Sequence, residues 1–191
     1  MKMTTTLLVL LLCVVIGGSA VANEQSLYFN LGIGGASANY PDPLQEVLDL
    51  LEDMPGVSHV QVGIDLGLYF PLRPGSVLGA AISGIGDRYE VNSEHIQINQ
   101  YLYAVSYRIY PGGTVGKGFF ARGDVGLAKI VVDVSGLGSA DSDSGVGFLV
   151  GGGYSWQISG GTWFSVNADY TSKTIEDETL GGFTVGGAFL F

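Results

Sequence analysis

The feature of this chain that most restricts its fold is an alternation of apolar residues with small or polar ones, which recurs along most of its length. In the clearest stretch, HVQVGIDLGLYF, every second residue from Val60 to Phe70 is apolar. A period of two places successive side chains on opposite faces of a β-strand. Such stretches occur at residues 26–38, 59–70, 76–86, 99–110, 118–132, 145–156, 162–172 and 181–191. The alternation predicts eight strands, each near the roughly 9–11 residues that a tilted strand needs to cross a bilayer.

The connections between these stretches alternate in length. The short connections, built from turn-forming residues, lie at 71–76, 111–118 and 159–162. The long connections lie at 39–58, 86–96, 133–145 and 172–181. If consecutive strands are antiparallel, all short connections fall on one side and all long ones on the other. An even number of strands with this asymmetry is typical of an up-and-down transmembrane β-barrel with periplasmic turns and extracellular loops.

The polarity of the two strand faces separates a membrane barrel from a soluble, lipocalin-like barrel. A soluble barrel turns its polar face to water, and that face would be rich in charged residues. Here the polar face is mostly Gly, Ala, Ser and Asn, and its isolated charges are Asp65, Arg108, Arg122, Asp124 and Asp169. Small residues and a few charges that can pair suit the narrow lumen of an eight-stranded barrel. We predict a buried lumen network in which Arg122 pairs with one or more carboxylates, and an apolar face in contact with lipid.

Aromatic residues on the apolar face gather near the strand ends on the short-turn side. They are Phe29, Phe70, Tyr107, Phe119, Trp156, Phe164 and Phe191. Aromatic residues are common in strands generally, but a group of them near one predicted edge is typical of the girdle at a membrane interface.

The first residues have the order of a secretory signal peptide. Lys2 precedes an apolar run at 7–16, which is followed by small residues ending at Ala22. The run is too short to span a bilayer as a helix. We predict cleavage after Ala22, with residues 1–22 as the signal peptide and residues 23–191 as one barrel domain. The single cysteine, Cys13, lies in the signal segment, so we expect no disulfide or thiolate metal site in the mature chain.

The chain is strongly acidic, with 8 Lys and Arg against 18 Asp and Glu and a net charge of −10. Binding to nucleic acid phosphates needs clustered Lys and Arg, so nucleic acid is excluded as a partner. Many of the carboxylates lie in the long connections. The acidic segment DSDSG at 141–145 lacks the glycine and distal glutamate positions of a calcium loop. We therefore predict neither a metal site nor a cofactor.

The first long connection carries a helical pattern. Its apolar residues follow the i, i+3, i+4, i+7 spacing of an amphipathic helix, at Leu44, Val47, Leu48 and Leu51. Asp42 can cap the helix, Pro43 suits its first turn, and Pro55-Gly56 ends the run. The opposite face is acidic. We predict a short helix in the first extracellular loop, packed on the barrel rim by its leucines or serving as a lid or docking element.

With these features, the chain resembles the small eight-stranded outer-membrane β-barrels of the OmpA/OmpX type over residues 25–191. The resemblance rests on the strand number, the asymmetric connections, the lumen charges and the aromatic Phe191 in the last strand. It implies a monomer in the outer membrane of a Gram-negative bacterium, surrounded by outer-membrane lipids and lipopolysaccharide. It also implies insertion by the barrel-assembly machinery, which in this family reads a final strand ending in an aromatic residue. Phe189 and Phe191 would form that assembly signal.

The expected function is a structural or surface-interaction role, as an adhesin or a membrane-integrity protein with an extracellular partner that the sequence does not identify. Two alternatives stay open, a porin-like channel for small solutes and a lipid A-modifying barrel enzyme, either a deacylase or an acyltransferase. Barrel enzymes similar to this chain use a histidine with a serine and an acidic residue.

The chain offers few residues for such chemistry. His59 lies beside Ser58, and His95 lies close to Ser93 and Glu94. Neighbouring residues in a strand point to opposite faces, which is poor geometry for a catalytic triad. We therefore expect no enzymatic activity and assign no catalytic residue from the sequence.

Overall fold

The computed structural model describes residues 26–91 and 94–191. The predicted signal peptide with Cys13, and Ser93, lie outside the described residues. The strands are β1 (Tyr28–Asn39), β2 (Ser58–Arg73), β3 (Ser76–Val91), β4 (Glu94–Ile109), β5 (Gly118–Val134), β6 (Gly138–Asp141), β7 (Gly145–Ser159), β8 (Thr162–Ile175) and β9 (Glu178–Leu190), and the helix is α1 (Asp42–Glu52).

The strands form one closed antiparallel barrel. Strand β4 pairs with both β3 and β5, and β9 pairs with both β8 and β1. The short β6 pairs only with the end of β5 and lies in line with β7 along the same edge of β5. The wall therefore has eight strands, as the sequence predicts. The helix in the first loop is confirmed as well.

The seam between β1 and β9 closes the barrel. Its register runs from Asn30 opposite Leu190 to Asn39 opposite Gly181. Beyond the end of β9, Phe191 donates its N–H to the carbonyl of Phe29 at 2.9 Å, and Phe29 donates to the carbonyl of Phe191 at 3.1 Å. Within the strand pairs described, both edges of the sheet therefore have a hydrogen-bonded partner strand. An open edge would present unpaired N–H and C=O groups, which lipid cannot satisfy.

Three of the predicted long connections are wrong, because most of their residues continue the strands. Strand β3 extends to Val91 and β4 begins at Glu94, so the segment 86–96 is largely strand. The segment 172–181 is a hairpin whose turn is Glu176-Asp177, with φ values of 52° and 66°. In 133–145, β6 adds a further strand pair. The apolar alternation stops where outward residues become polar, but backbone pairing continues beyond that level.

The helix α1 begins differently from the prediction. Pro41 precedes the first helical residue, Asp42, and makes no side-chain capping hydrogen bond. Asp42 therefore lies in the first turn, where its negative charge complements the positive end of the helix dipole. No helix in the described part of the chain is long and apolar enough to cross a membrane.

Side chains alternate between the lumen and the outer surface as the sequence pattern requires. In β2, Ile64 and Leu68 are exposed on the outside, whereas Tyr69 is fully buried inside. Most large apolar side chains of the wall are exposed in the same way on other strands, including Leu31, Val105, Val125 and Phe183. We call the side with the short turns the turn end and the side with α1 the helix end.

Candidate functional site

The lumen holds an ion network about halfway along the barrel. Arg122 Nη2 lies 2.6 Å from Asp124 Oδ2 and 2.8 Å from Asp65 Oδ1. Arg122 Nε also donates to Asp124 at 2.9 Å. The Arg122 and Asp124 side chains are 1% and 0% exposed. The sequence predicts that Arg122 pairs with one or more carboxylates, and in the structure two carboxylates, Asp65 and Asp124, lie against it.

Arg108 extends the network towards the turn end. Its guanidinium donates to Asp65 at 3.0 Å and to Asn30 at 2.9 Å, and Asn30 in turn donates to the same Asp65 oxygen at 2.5 Å. The guanidinium carbon lies 4.6 Å from the centre of the Tyr69 ring and 5.8 Å from that of Phe120. Cation–π contact with buried rings adds to the ion pair. Asp65 therefore joins Arg108 and Arg122.

Asp169 faces the same lumen but does not pair directly with an arginine. One of its oxygens accepts from Asn167, and the other has no partner among the described residues. A small cavity of about 30 Å³ separates it from Asp65, Arg122 and Lys173. A cavity of this size is large enough for an ordered water, and the polar side chains in its wall offer hydrogen-bond partners to it.

The sequence reasoning missed Lys173, which lies inside the lumen. Its side chain is 1% exposed, and its ammonium donates to Gln100 at 3.3 Å and Thr171 at 3.4 Å. The apolar alternation places position 173 in a loop. Its inward parity with Asp169 and Thr171 was the signal that could have placed it in the wall. Lys173 with Arg108 and Arg122 balances the charges of Asp65, Asp124 and Asp169.

Apolar clusters close the lumen on both sides of this network. The cluster at the turn end, here called the turn-end plug, comprises Tyr28, Tyr69, Val77, Tyr110, Val115, Phe120 and Leu190. The cluster at the helix end, the helix-end plug, comprises Ala38, Tyr40, Leu48, Ile85, Tyr89, Ile98, Ala128, Ile175 and Leu180. An eight-stranded barrel is just wide enough for side chains to fill it. Its interior is thus a packed core.

Aromatic residues form an arc on the outside of the turn end. Ring contacts with centroid distances of 4.9–6.4 Å connect Phe119, Tyr154, Trp156, Phe164, Phe189, Phe191 and Phe29 in that order. The arc crosses five neighbouring strands and includes both residues of the predicted assembly signal. Phe70 and Tyr107 lie on the outside of β2 and β4, and neither has a ring contact with the arc. Tyr154 and Phe189 also belong to this arc, although the sequence pattern does not predict them as girdle residues.

The helix α1 lies on the rim at the other end. Leu48 is 2% exposed and belongs to the helix-end plug, and Leu51 packs against it. Leu44 and Val47, the other residues of the predicted apolar face, are exposed. The helix therefore covers the lumen with its second and third turns and leaves part of its apolar surface open.

Asp87 is a polar centre within the helix-end plug, and the sequence reasoning had placed it in a loop. Its carboxylate is fully buried and has as hydrogen-bond partners Tyr40 at 2.9 Å, His59 at 2.7 Å and Gln61 at 3.0 Å. Burial and the adjacent carboxylate raise the pKa of the Tyr40 phenol far above its usual range, so that it remains a donor. These bonds fix the start of the first loop to β2 and β3.

His59 links this centre to the helix. Its Nε2 faces Asp87, and its Nδ1 lies 3.3 Å from Glu52 Oε1 at the end of α1. The imidazole also stacks on Tyr89 with 4.2 Å between ring centroids. Ser58 is exposed on the opposite face of β2, and no hydrogen bond joins its side chain to His59 among the described residues. His59 therefore has a positioning role here and no serine partner.

His95 lies in a second rim cluster that the sequence did not reveal. Its ring lies between Ser135, whose Oγ is 2.7 Å from Nδ1, and Asp133, whose Oδ1 is 3.2 Å from Nε2. Glu94 is exposed, and Ser93 lies outside the described residues. Both partners of His95 come from the end of β5, about 40 residues away in sequence. Only the pairing of β4 with β5 reveals this arrangement.

The solvent-facing rim is acidic. Exposed carboxylates are carried by Asp42, Glu46, Asp49, Glu52, Asp53, Glu90, Glu94, Asp141, Asp143, Glu176, Asp177 and Glu178. Nearby cations are already paired, Arg88 with Glu90 at 2.9 Å and Lys129 with Asp141 at 2.6 Å. In the described residues no group of three or more His, Cys, Asp and Glu side chains is placed to hold a metal ion.

Replacing Leu48 by alanine is expected to weaken the docking of α1 by about 2–4 kcal/mol, because the side chain leaves a cavity in the helix-end plug. A protease specific for glutamate should then cut at Glu46 or Glu52 faster in the folded protein. Leu50→Ala is the matched control, since Leu50 is 69% exposed. Equal cleavage rates in the two variants would contradict the packing role.

Solved structures similar to this one include small outer-membrane barrels. Ail, the attachment invasion locus protein of Yersinia pestis, is 13% identical with a TM-score of 0.52, and the match covers 87% of this chain and all of Ail. That structure contains the heparin analogue sucrose octasulfate. Neisserial surface protein A is 10% identical with a TM-score of 0.56, over 86% of this chain and 96% of that protein.

At these identities the likeness establishes the fold, an eight-stranded barrel of the outer-membrane type. Comparison with protein-family models and with curated protein sequences gives no match.

Proposed function

We propose that this protein is a bacterial outer-membrane barrel with a closed lumen, and that it acts through its extracellular rim in a structural or surface-interaction role. The observation that carries this proposal is the inversion of polarity between inside and outside. Charged side chains such as Arg122 and Asp124 are buried in the lumen, whereas Ile33, Val125 and Phe119 are exposed on the wall. An apolar outer wall of this kind is stable in hydrocarbon and would cause aggregation in water.

The orientation follows from the connections. The short turns at 74–75 and 160–161 belong on the periplasmic side, and α1 with the extended strand ends belongs outside. The arc of aromatic rings then lies at the inner interface of the membrane. Lipids and lipopolysaccharide surround the wall, and the rim is the only large polar surface that the described residues offer to an extracellular partner.

The charge of the rim favours a particular class of partner. Ail was solved with a highly sulfated, negatively charged ligand, but the rim of this protein carries mostly carboxylates. Polyanions would be repelled at low ionic strength, and a protein with a basic surface would be attracted. We therefore propose a positively charged partner surface for the adhesin-like role.

The membrane assignment can be tested with the full chain expressed in a Gram-negative host. The folded protein should be found in the outer-membrane fraction, and it should migrate differently on an unheated SDS gel than after boiling. Boiling unfolds the barrel, which otherwise resists the detergent because its backbone groups are paired along the entire wall. Recovery in a soluble periplasmic fraction without a shift on boiling would contradict the proposal.

The closed lumen predicts the result of conductance measurements. Arg108 contacts Tyr69 and Phe120 of the turn-end plug, and these buried side chains fill the lumen at that level. Purified protein in planar lipid bilayers should therefore give no reproducible current steps, in contrast to a porin measured in the same apparatus. Regular steps of one size would instead support the channel alternative.

A further inference from the structure

The rim cluster around His95 has the connectivity of a serine nucleophile with its base and acid. Ser135 Oγ lies 2.7 Å from His95 Nδ1, and His95 Nε2 lies 3.2 Å from Asp133 Oδ1. The serine is held in place from the backbone as well, because His95 N–H donates to its Oγ at 2.9 Å and Ser135 N–H donates to the His95 carbonyl at 2.9 Å. His95 and Asp133 lie at the ends of the paired strands β4 and β5, and Ser135 is the first residue of the turn that follows β5.

The order of the bonds fixes the tautomer that a general base needs. Asp133 can only accept when ionised, so the proton of the neutral ring lies on Nε2. Nδ1 then has a free lone pair directed at the hydroxyl of Ser135. The hydroxyl accepts from the backbone N–H and donates to Nδ1, which is the arrangement that activates a serine.

An apolar cavity lies next to this serine. It has a volume of about 170 Å³, and Ser135 and His95 form part of its wall. Its apolar lining comes from Leu51, Val57, Val91, Ile96 and Val134, and its polar lining includes Glu90 and Glu94. Ser135 and His95 line the cavity, whereas Asp133 is not part of its lining. The space suits a short acyl chain, and the two glutamates disfavour an anionic substrate.

We propose that Ser135, His95 and Asp133 form a hydrolytic site for short-chain carboxylic esters without negative charge. Ser135 Oγ attacks the ester carbonyl carbon while its proton passes to His95 Nδ1, and Asp133 stabilises the resulting imidazolium. The carbon–oxygen bond to the alcohol then breaks, and the alcohol leaves with the proton from His95. Water hydrolyses the acyl group on Ser135 in a second step, again with His95 as base.

The backbone after the nucleophile carries an N–H that is free to act as a donor. Gly136 follows Ser135 with a φ of 79°, a conformation that glycine adopts without strain. Its N–H has no hydrogen-bond partner among the described residues. The N–H of the residue that follows a nucleophilic serine is a recurrent donor to the oxyanion.

The test uses the full chain purified from outer membranes in detergent. A fluorophosphonate probe should label Ser135, forming an oxygen–phosphorus bond with loss of fluoride, and the protein should hydrolyse p-nitrophenyl butyrate. Both signals should fall to background in Ser135→Ala and in His95→Gln. Ser144→Ala, which removes another exposed rim serine, should keep both. The shift of gel migration on boiling reports that each variant is folded.

Asp133→Asn separates catalysis from a structural role, because asparagine can keep the hydrogen bond to His95 but loses the charge. We expect the hydrolysis rate to fall about tenfold, less than for a buried acid because Asp133 is half exposed. Hydrolysis no faster in the wild type than in Ser135→Ala, labelling that persists in Ser135→Ala, or an unchanged hydrolysis rate in Asp133→Asn would overturn the proposal. The Asp133→Asn rate decides it if Ser135→Ala does not fold.

Discussion

Replacing Arg122 by alanine is expected to lower the free energy of unfolding of the barrel by about 3–5 kcal/mol. The substitution leaves Asp124 fully buried without a cationic partner among the described residues, and it leaves Asp65 with Arg108 alone. A buried charge without a partner costs more than the ion pair contributes, because water can no longer solvate it. Urea unfolding of the protein in detergent micelles or lipid vesicles measures the change.

Two further variants make this prediction specific. Arg88→Ala removes an arginine whose pair with Glu90 is about half exposed, so it should cost only about 0–1 kcal/mol. The double variant Arg122→Met with Asp124→Leu removes both charges and fills the space, and it should be more stable than Arg122→Ala alone. An effect of Arg122→Ala no larger than that of Arg88→Ala would show that the lumen network does not stabilise the fold.

The strand number, the inward and outward faces and the charges that meet at Arg122 could all be derived from the sequence. These features follow from local rules, since parity alone decides which face each side chain occupies. In a barrel of this width, inward charges have few positions to occupy, so Asp65, Arg108, Arg122 and Asp124 had to lie close together. Asp169 follows the same parity, but its hydrogen-bond partner is Asn167, two residues earlier on the same strand, and not an arginine.

The extent of the strands could not be derived in the same way. The search for apolar alternation detects only the part of the wall that faces lipid, whereas β3 and β8 continue beyond it with polar outer residues. Lys173 and Asp87 were therefore assigned to loops, although both are buried inside the barrel. The His95 cluster depends on the register of β4 against β5, which no local pattern specifies.

Phe191→Ala is expected to reduce the amount of folded barrel in the outer membrane several-fold, while protein that has folded loses little stability. The two hydrogen bonds between Phe191 and Phe29 use backbone atoms, so alanine keeps the seam closed. What is lost is ring contact with Phe29 and Phe189 at 6.4 and 6.1 Å, which is worth about 0.5–1.5 kcal/mol for each pair. If the amount of folded barrel in cells falls further than this loss of stability explains, the Phe191 side chain is recognised before folding is complete.

Phe119→Ala is the matched control, because Phe119 belongs to the same arc and is 73% exposed but lies on β5, far from the last strand. Phe119 has one ring contact and Phe191 has two, so Phe119→Ala should lose about half as much free energy of unfolding as Phe191→Ala when both are refolded in lipid vesicles without other proteins. In cells, only Phe191→Ala should lower the quantity of heat-shifted protein in the outer membrane, and Phe189→Ala should add to the defect. If Phe119→Ala reduces the level equally, then the aromatic arc acts through interfacial anchoring alone, and the last strand carries no separate assembly signal.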